Sequence, residues 1–333
     1  MKFDVYTHIL PAKYKEALYK SAPSGFSVQR VVESIPTLYD LDHRFRIMDK
    51  FPGVMQVLTL SSPGVQEIGD AQKALDLAKI ANDGMAELVR KYPDRFAAAV
   101  ATVPMNNMDA ALVELDRAVN ELHLRGVQID TPVNDKPLDS PEFMPLYEKM
   151  NQYNLPIWIH PTRTMAHADY KTEERSKYMI FHIFGWPYET TAAVTRLVFS
   201  GILDKYPELK FITHHAGGMI PFFEQRIIGA YDHAEMQMGK AQYRTKLRRA
   251  PIEYFKMFYG DTALNGKAAA LACGHAFFGT EHVLFATDFP YDDQEGDRFT
   301  RETIDSVDAM ALPRFEKNLI FEGNIKRLLK LSK

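Results

Sequence analysis

The chain predicts an α/β fold, a (β/α)8 TIM barrel with an inserted loop or lid after its fifth strand, and three observations carry that expectation. About eight short apolar runs alternate with helical patterns, which argues for a parallel sheet covered by helices. Eight such units in 333 residues fit a barrel better than an open sheet. The alternative, an open doubly wound sheet, lacks its glycine-rich phosphate turn, because no G-x-G-x-x-G follows any strand.

FDVYT (3–7) is a short β-rich run that ends at His8, and residues 12–20 have helical spacing. Residues 21–36, with Ser, Pro and Gly and little periodicity, read as a loop. LDHRFRIMDK (41–50) is helical until Pro52-Gly53 stops it, and VMQVLTL (54–60) reads as a buried strand. A long helical pattern over 70–91 breaks at Pro93-Asp94, and FAAAVATVP (96–104) is the third strand. A helix over 108–122 leads to the strand GVQID (126–130). Ser140 and Pro141 suit the N-cap and first position of a helix over 140–152.

LPIWIH (155–160) is the fifth strand. Residues 161–186 then form a polar and aromatic stretch longer than most connections, which reads as a functional loop or lid within an insertion at 161–190. A helix over 190–199 and a turn at Tyr206-Pro207 precede the strand LKFITH (209–214). A helix over 221–237, strand KMFYG (256–260), helix 265–274, strand VLFAT (283–287) and a helical remainder complete a single domain, 1–333.

Composition narrows the function. Hydrophobic residues at 46% and charged residues at 25% belong to a globular protein with a large core. A net charge of −3 without a basic block gives nucleic acid nothing to bind. No apolar run approaches the ~18 residues of a membrane span, and the chain enters a strand at once, without a secretory leader. The single cysteine, Cys273, excludes an intrachain disulfide framework and points to the cytoplasm.

Parallel barrel strands all point one way, so residues at their C-terminal ends converge on one rim. His8, His160, His214, His215 and Asp288 lie at such ends. A single strand-end histidine is more often hydrogen-bonded structure than ligand, and Asp288 before Phe-Pro also suits a turn cap. Four independent strands ending this way are harder to dismiss. Two imidazoles and a carboxylate are a workable ligand set for Zn²⁺, Mn²⁺ or another divalent ion. Strand alternation sends the side chains of His214 and His215 to opposite faces, one to the site and one to the helical layer.

The runs DVYTHILP, RIMDKFPGVMQVLTLSSP, LPIWIHP, GWPYET with GILDKYPELK and HHAGG, FYGDTALNG and HVLFATDFPY span nearly the whole chain. In them the sequence resembles the amidohydrolase superfamily, specifically the decarboxylase branch that includes aminocarboxymuconate semialdehyde, γ-resorcylate and 5-carboxyvanillate decarboxylases. The resemblance implies a divalent metal, Zn²⁺ first and Mn²⁺ second, held by a first-strand motif, His160 and Asp288. It also implies that His215 transfers the catalytic proton, while His214 is secondary.

One position departs from the branch. Its first strand usually carries H-x-H or E-x-H, where this chain has Tyr6-Thr7-His8. Tyr6 and His8 share a strand face, so Tyr6 stands where a ligand is missing. Ionising a phenol at pH 7 costs about 4 kcal/mol. Three outcomes follow: Tyr6 ligates as phenolate, the ion rests on His8, His160 and Asp288 with extra water, or the site is metal-poor. The second is favoured. Tyr6 otherwise packs, its hydroxyl on water or substrate.

Arg46, just before a strand whose end faces the rim, suits bidentate capture of a substrate carboxylate, with Arg44 the weaker candidate. Arg163, His167, Phe184 and Trp186 of the insertion are expected to line a pocket for a flat or conjugated acid, with His214 and Tyr6 adding substrate contacts. The expected reaction is loss of CO₂ from a small-molecule aromatic or muconate-like acid, with His215 or Asp288 handling the proton. The alternative is metal-assisted hydrolysis or hydration of a lactone, amide or unsaturated acid; a barrel without metal, serving only to bind, is a third reading. The resemblance further implies a homodimer.

Overall fold

The computed structural model describes residues 1–22, 28–239 and 247–331. Its strands are β1 (Lys2–Ile9), β2 (Val54–Leu60), β3 (Phe96–Ala99), β4 (Ala101–Thr102), β5 (Val127–Thr131), β6 (Ile157–Pro161), β7 (Phe211–Thr213), β8 (Tyr259–Asp261) and β9 (Val283–Leu284). Every neighbouring pair is parallel, and the order follows the chain: β1-β2-β3 in one ladder, β4 through β9 in another. The predicted third strand is split at Val100 into β3 and β4, which leaves eight barrel positions.

Regular pairing therefore lapses at two seams, and single hydrogen bonds cross both. Val100 N donates to Leu58 O (2.9 Å) and Ala101 N to Gly126 O (2.9 Å). Between the last strand position and the first, Val5 N donates to Phe285 O (3.0 Å) and His8 N to Phe289 O (2.7 Å), with an isolated parallel bridge between Thr7 and Phe289. The β9 backbone thus continues alongside β1 past the point where its ladder ends.

The helices form for local reasons. Asp40, Asp70 and Asn107 each accept a hydrogen bond from the backbone N–H three residues on, at 3.0, 2.9 and 3.2 Å, and so cap the helices Leu41–Met48, Ala71–Lys91 and Met108–Asn120. Ser140 is an N-cap by position but makes no capping bond, and Pro141–Phe143 is a short 3₁₀ turn before Met144–Tyr153. The helix expected over 190–199 starts earlier, at Gly185, and runs to Ser200, so it incorporates the end of the insertion. The loop expected over 21–36 contains a helix at Val28–Glu33, and its residues 23–27 lie outside the described residues. No helix among the described residues is long and apolar enough to cross a membrane.

Two apolar clusters divide the interior. The larger lies between strands and helices. The smaller fills the barrel with Val5, Tyr6, Ala98, Trp158, Ile212, Leu284 and Ala286, and Ile325, Leu328 and Leu329 of the last helix close it. Tyr6, Trp158, Ile212 and Ala286 each sit two residues before His8, His160, His214 and Asp288. Period-2 geometry therefore stacks the polar rim directly on this apolar layer. The register of β1 shifts between Asp4 and Thr7, which brings the neighbours Val5 and Tyr6 into the same cluster. Trp158 is fully buried and its Nε1 donates to Val5 O across the barrel (3.0 Å). Truncating such a side chain to Ala costs about 3–5 kcal/mol.

Candidate active site

Asp288 is the hub. Its Oδ1 lies 3.2 Å from both His8 Nε2 and His214 Nε2, and its Oδ2 lies 3.9 Å from His215 Nε2. His160 joins from β6: one ring nitrogen each from His8, His160 and His214 fall within 4.8 Å of one another. The same spacing holds for His214, His215 and Asp288. The five strand-end residues named from sequence are thus brought together.

His214 and His215 correct the expectation of opposite faces. Their rings stack at 3.9 Å and both reach Asp288. Alternation fails because β7 stops at Thr213, and His215 and Ala216 then take left-handed φ values of 55° and 51°. The turn folds His215 back over the rim instead of letting it point into the helices. Gly218, at φ 66°, allows this: a Cβ there would stand 2.4 Å from Pro187 O, so only glycine lets the turn pack on the helix Gly185–Ser200.

Nor is His214 peripheral. It is fully buried, its Nδ1 lies 2.6 Å from Asp261 Oδ2, and its ring stacks on Tyr6 at 3.9 Å. Burial opposes its charge, but Asp261 and Asp288 outweigh burial and push its pKa up to about 9. Burial likewise opposes charge on Asp288, yet the adjacent His214 and the histidine hydrogen bonds hold that carboxyl well below the usual range. His215 is lowered, first by burial and then by His214. His160 is lowered far below the ordinary imidazole value by burial, helped by His8 and His214.

Tyr6 is engaged with the barrel backbone. Its hydroxyl donates to Ile159 O at 2.9 Å and its ring is fully buried. Burial, with Asp261, Asp130 and Asp288 nearby, raises its pKa well above the ordinary phenol value. The phenol is thus held neutral, with its hydroxyl proton given to a backbone carbonyl.

Three imidazole nitrogens of the cluster are left over, His215 Nδ1 among them. His8 Nε2 is buried and close to Asp288 but poorly aligned for a hydrogen bond, and His160 Nδ1 stands 3.8 Å from Asp130 with no partner. Buried polar atoms are rarely left unpaired. Unpaired imidazole nitrogens in a cluster that also holds an ionised carboxylate, Asp288, match the donor set of a divalent cation.

Beside the rim lies a cavity of about 240 Å³ lined by Leu38, Ser61, Thr162, Arg163, Trp186 and Tyr291 among others. Trp186 meets His160 edge-on at 5.5 Å and Tyr291 meets His8 at 5.3 Å, so two walls of the cavity pack on the cluster. Trp186 is held by its Nε1–H on Arg163 O (3.0 Å) and by His182 against its face (4.4 Å). Arg163 lines the cavity but is paired with Glu189 at 2.5 Å. His167 lines an adjoining, more polar cavity, whereas Phe184 is 60% exposed and lines neither.

The two arginines lie on opposite sides of their helix. Arg46 is exposed, with its guanidinium 3.0 Å from His43 Nδ1, and no contact among the described residues joins it to the cluster. Arg44, Ile47 and Met48 form the buried face of their helix, and Arg44 donates to His8 O at 2.8 Å. Helical period alone puts Arg46 on the other side.

Sequence reading passed over Asp261 and Asp130, although each ends a strand as His160 does. Asp261 holds His214. Asp130 faces His160 and accepts from Gln66 Nε2 at 2.8 Å, and burial raises its pKa to about 6.

Parallel strands in chain order, imidazoles and a carboxylate gathered on one rim, and buried nitrogens awaiting a partner define a metal-assisted α/β-barrel enzyme. The chain belongs to the amidohydrolase family, whose profile matches residues 7–331. It is similar to γ-resorcylate decarboxylase of Polaromonas sp., at 31% identity over 301 residues that cover 88% of each chain. Among solved structures it is similar to 5-carboxyvanillate decarboxylase from Sphingomonas paucimobilis, with a TM-score of 0.83, 28% identity and 99% of both chains covered. It is also similar to a dihydroxybenzoic acid decarboxylase from Polaromonas sp. with bound manganese and the inhibitor 2-nitroresorcinol. There the TM-score is 0.82 and identity 26%, over 100% of this chain and 97% of that one.

Proposed function

We propose that this chain is a metal-dependent, non-oxidative decarboxylase of an aromatic or muconate-like carboxylic acid. The observation that carries the reading is Asp288, flanked by His8, His214 and His215 at 3.2, 3.2 and 3.9 Å, beside a cavity whose wall residues Trp186 and Tyr291 pack on His160 and His8. That cavity is smaller than the about 300–1,000 Å³ of drug-sized sites, which suits a single-ring acid wedged against Trp186.

His8, His160 and Asp288 would hold a divalent ion, with His214 as a further imidazole in reach. Such an ion supplies Lewis-acid polarisation of the substrate carboxylate and of a neighbouring oxygen. Bound manganese in the Polaromonas relative supports Mn²⁺, while the nitrogen-rich donor set suits Zn²⁺ equally. Trp186 and Tyr291 orient the ring and exclude water. The carbon–carboxylate bond breaks, its electron pair stays on the ring carbon, and that carbon takes one proton, drawn from solvent and relayed through His215 and Asp288, as CO₂ leaves. A cytoplasmic homodimer of one domain, 1–333, completes the proposal; the exposed Tyr178, Phe222 and Phe223 are candidates for the contact between copies.

The test is metal analysis of the purified protein with a screen for CO₂ release from dihydroxybenzoates, carboxyvanillate and muconate-like acids, with and without chelator. Loss of CO₂ release on chelation and its return with Mn²⁺ or Zn²⁺ is the expected result. Undiminished release from metal-stripped protein would overturn the metal-centred reading, and lactone or amide hydrolysis without CO₂ would replace decarboxylation by the hydrolytic alternative.

A further inference from the structure

We infer that Arg44 is a positioning residue that clamps the first-strand histidine to the Asp288 segment, so that His8 and Asp288 converge on one point. The inference rests on the proposed metal centre and goes beyond it, because Arg44 touches neither metal nor substrate.

The guanidinium is fully buried. Its Nη1 donates to His8 O (2.8 Å) and to Thr37 O (3.2 Å), and its Nε donates to Gln56 Oε1 on β2 (2.8 Å). Its plane lies over the Phe289 ring, 4.7 Å from the centroid, in the residue after Asp288. Phe289 O in turn accepts from His8 N at 2.7 Å. One cation thus grips both sides of the seam where regular pairing between the last strand position and β1 has ended. Asp4, two residues after the start of β1, accepts from Thr287 N (3.0 Å) and Thr287 Oγ1 and so ties the same pair of segments.

A merely structural arginine would be indifferent to what lies on the rim. Arg44 instead anchors the backbone of one candidate ligand and the neighbour of another, across a seam where the regular ladder has ended. Outer partners that orient ligands typically change metal affinity about 10–100-fold when removed. Lysine offers one point charge in place of a rigid fork, so it cannot hold His8 O, Gln56 and the Phe289 face together.

The experiment is a Mn²⁺ titration followed by electron paramagnetic resonance, with thermal melting of each metal-free protein alongside. Wild type is compared with Arg44→Met, Arg44→Lys, Gln56→Leu and Phe289→Leu. Expected are a ~10–100-fold weaker Mn²⁺ affinity and a changed bound-Mn²⁺ spectrum in Arg44→Met, and a smaller change in the same direction for the other three. Should Arg44→Met not fold, Gln56→Leu and Phe289→Leu carry the comparison. Wild-type affinity and spectrum in every folded variant, whatever the melting temperature, would overturn the role of Arg44. A wild-type protein that binds neither Mn²⁺ nor Zn²⁺ removes the metal reading itself and this inference with it.

Discussion

Asp261 Oδ2 sits 2.6 Å from His214 Nδ1, with both side chains fully shielded from solvent. The other oxygen of Asp261 accepts from Ala216 N (2.8 Å) and Ala263 N (3.1 Å). A single carboxylate therefore holds both the ring of His214 and the turn that carries His215. Asp261→Asn is expected to keep the backbone bonds but lose the charge pairing, destabilising the metal-free protein by up to about 3–5 kcal/mol. The sign with pH follows from the raised value. His214 folds with a pKa of about 9 against an ordinary 6.5, so its contribution is fully present below about 6.5 and is lost as pH rises through 9. Melting of metal-free wild type from pH 6 to pH 10 should show that decline, and Asp261→Asn should flatten it; parallel curves for the two proteins count against the pairing.

Tyr6→Phe separates packing from ligation. The substitution removes one hydrogen bond to Ile159 O and keeps the stack on His214. A stability loss of about 0.5–1.5 kcal/mol with unchanged metal content and turnover is expected. Metal analysis showing a depleted site in Tyr6→Phe would restore the phenolate ligand.

The barrel and its rim were legible because each depends on local pattern. Tyr6 and His8, Trp158 and His160, Ile212 and His214, and Ala286 and Asp288 are two apart, so an apolar layer beneath a polar one can be read from spacing alone. Asp130 obeys the same strand-end rule, and Asp261 obeys it once β8 is seen to run one residue past Gly260. Beyond the last strand residue the rule has no force. The reversal of His215 depends on left-handed φ at 215 and 216 and on the space that Gly218 leaves against Pro187, none of which a strand pattern contains. The choice between Arg44 and Arg46 was a matter of helical phase: Arg44 lies three and four residues before Ile47 and Met48, which marks it as the inward one.

His215→Asn tests proton transfer. The imidazole is 18% exposed, its Nε2 faces Asp288, and burial with His214 beside it keeps it neutral at pH 7, able to pass a proton either way. Asparagine fills similar space but cannot relay a proton. Turnover is expected to fall by about 10²–10⁴-fold, while metal content, read by elemental analysis, stays at the wild-type level. Activity within a few-fold of wild type would assign the proton to Asp288 alone.

Trp186→Leu tests whether the insertion shapes the substrate pocket. Trp186 reaches the site by its edge contact with His160 and is fixed by Arg163 O and His182, so it presents a rigid wall to the cavity without touching Asp288. Leucine retains apolar contact but loses the flat face on which an aromatic ring stacks, worth about 0.5–1.5 kcal/mol beyond its area. Because that face is offered to substrate and transition state alike, its removal should raise KM roughly 3–10-fold and leave kcat nearly unchanged. Steady-state kinetics on an aromatic acid and on a muconate-like acid would read the split. A larger KM penalty for the aromatic substrate is expected, and an equal fall in kcat for both would mean that Trp186 acts through His160 and not on the substrate.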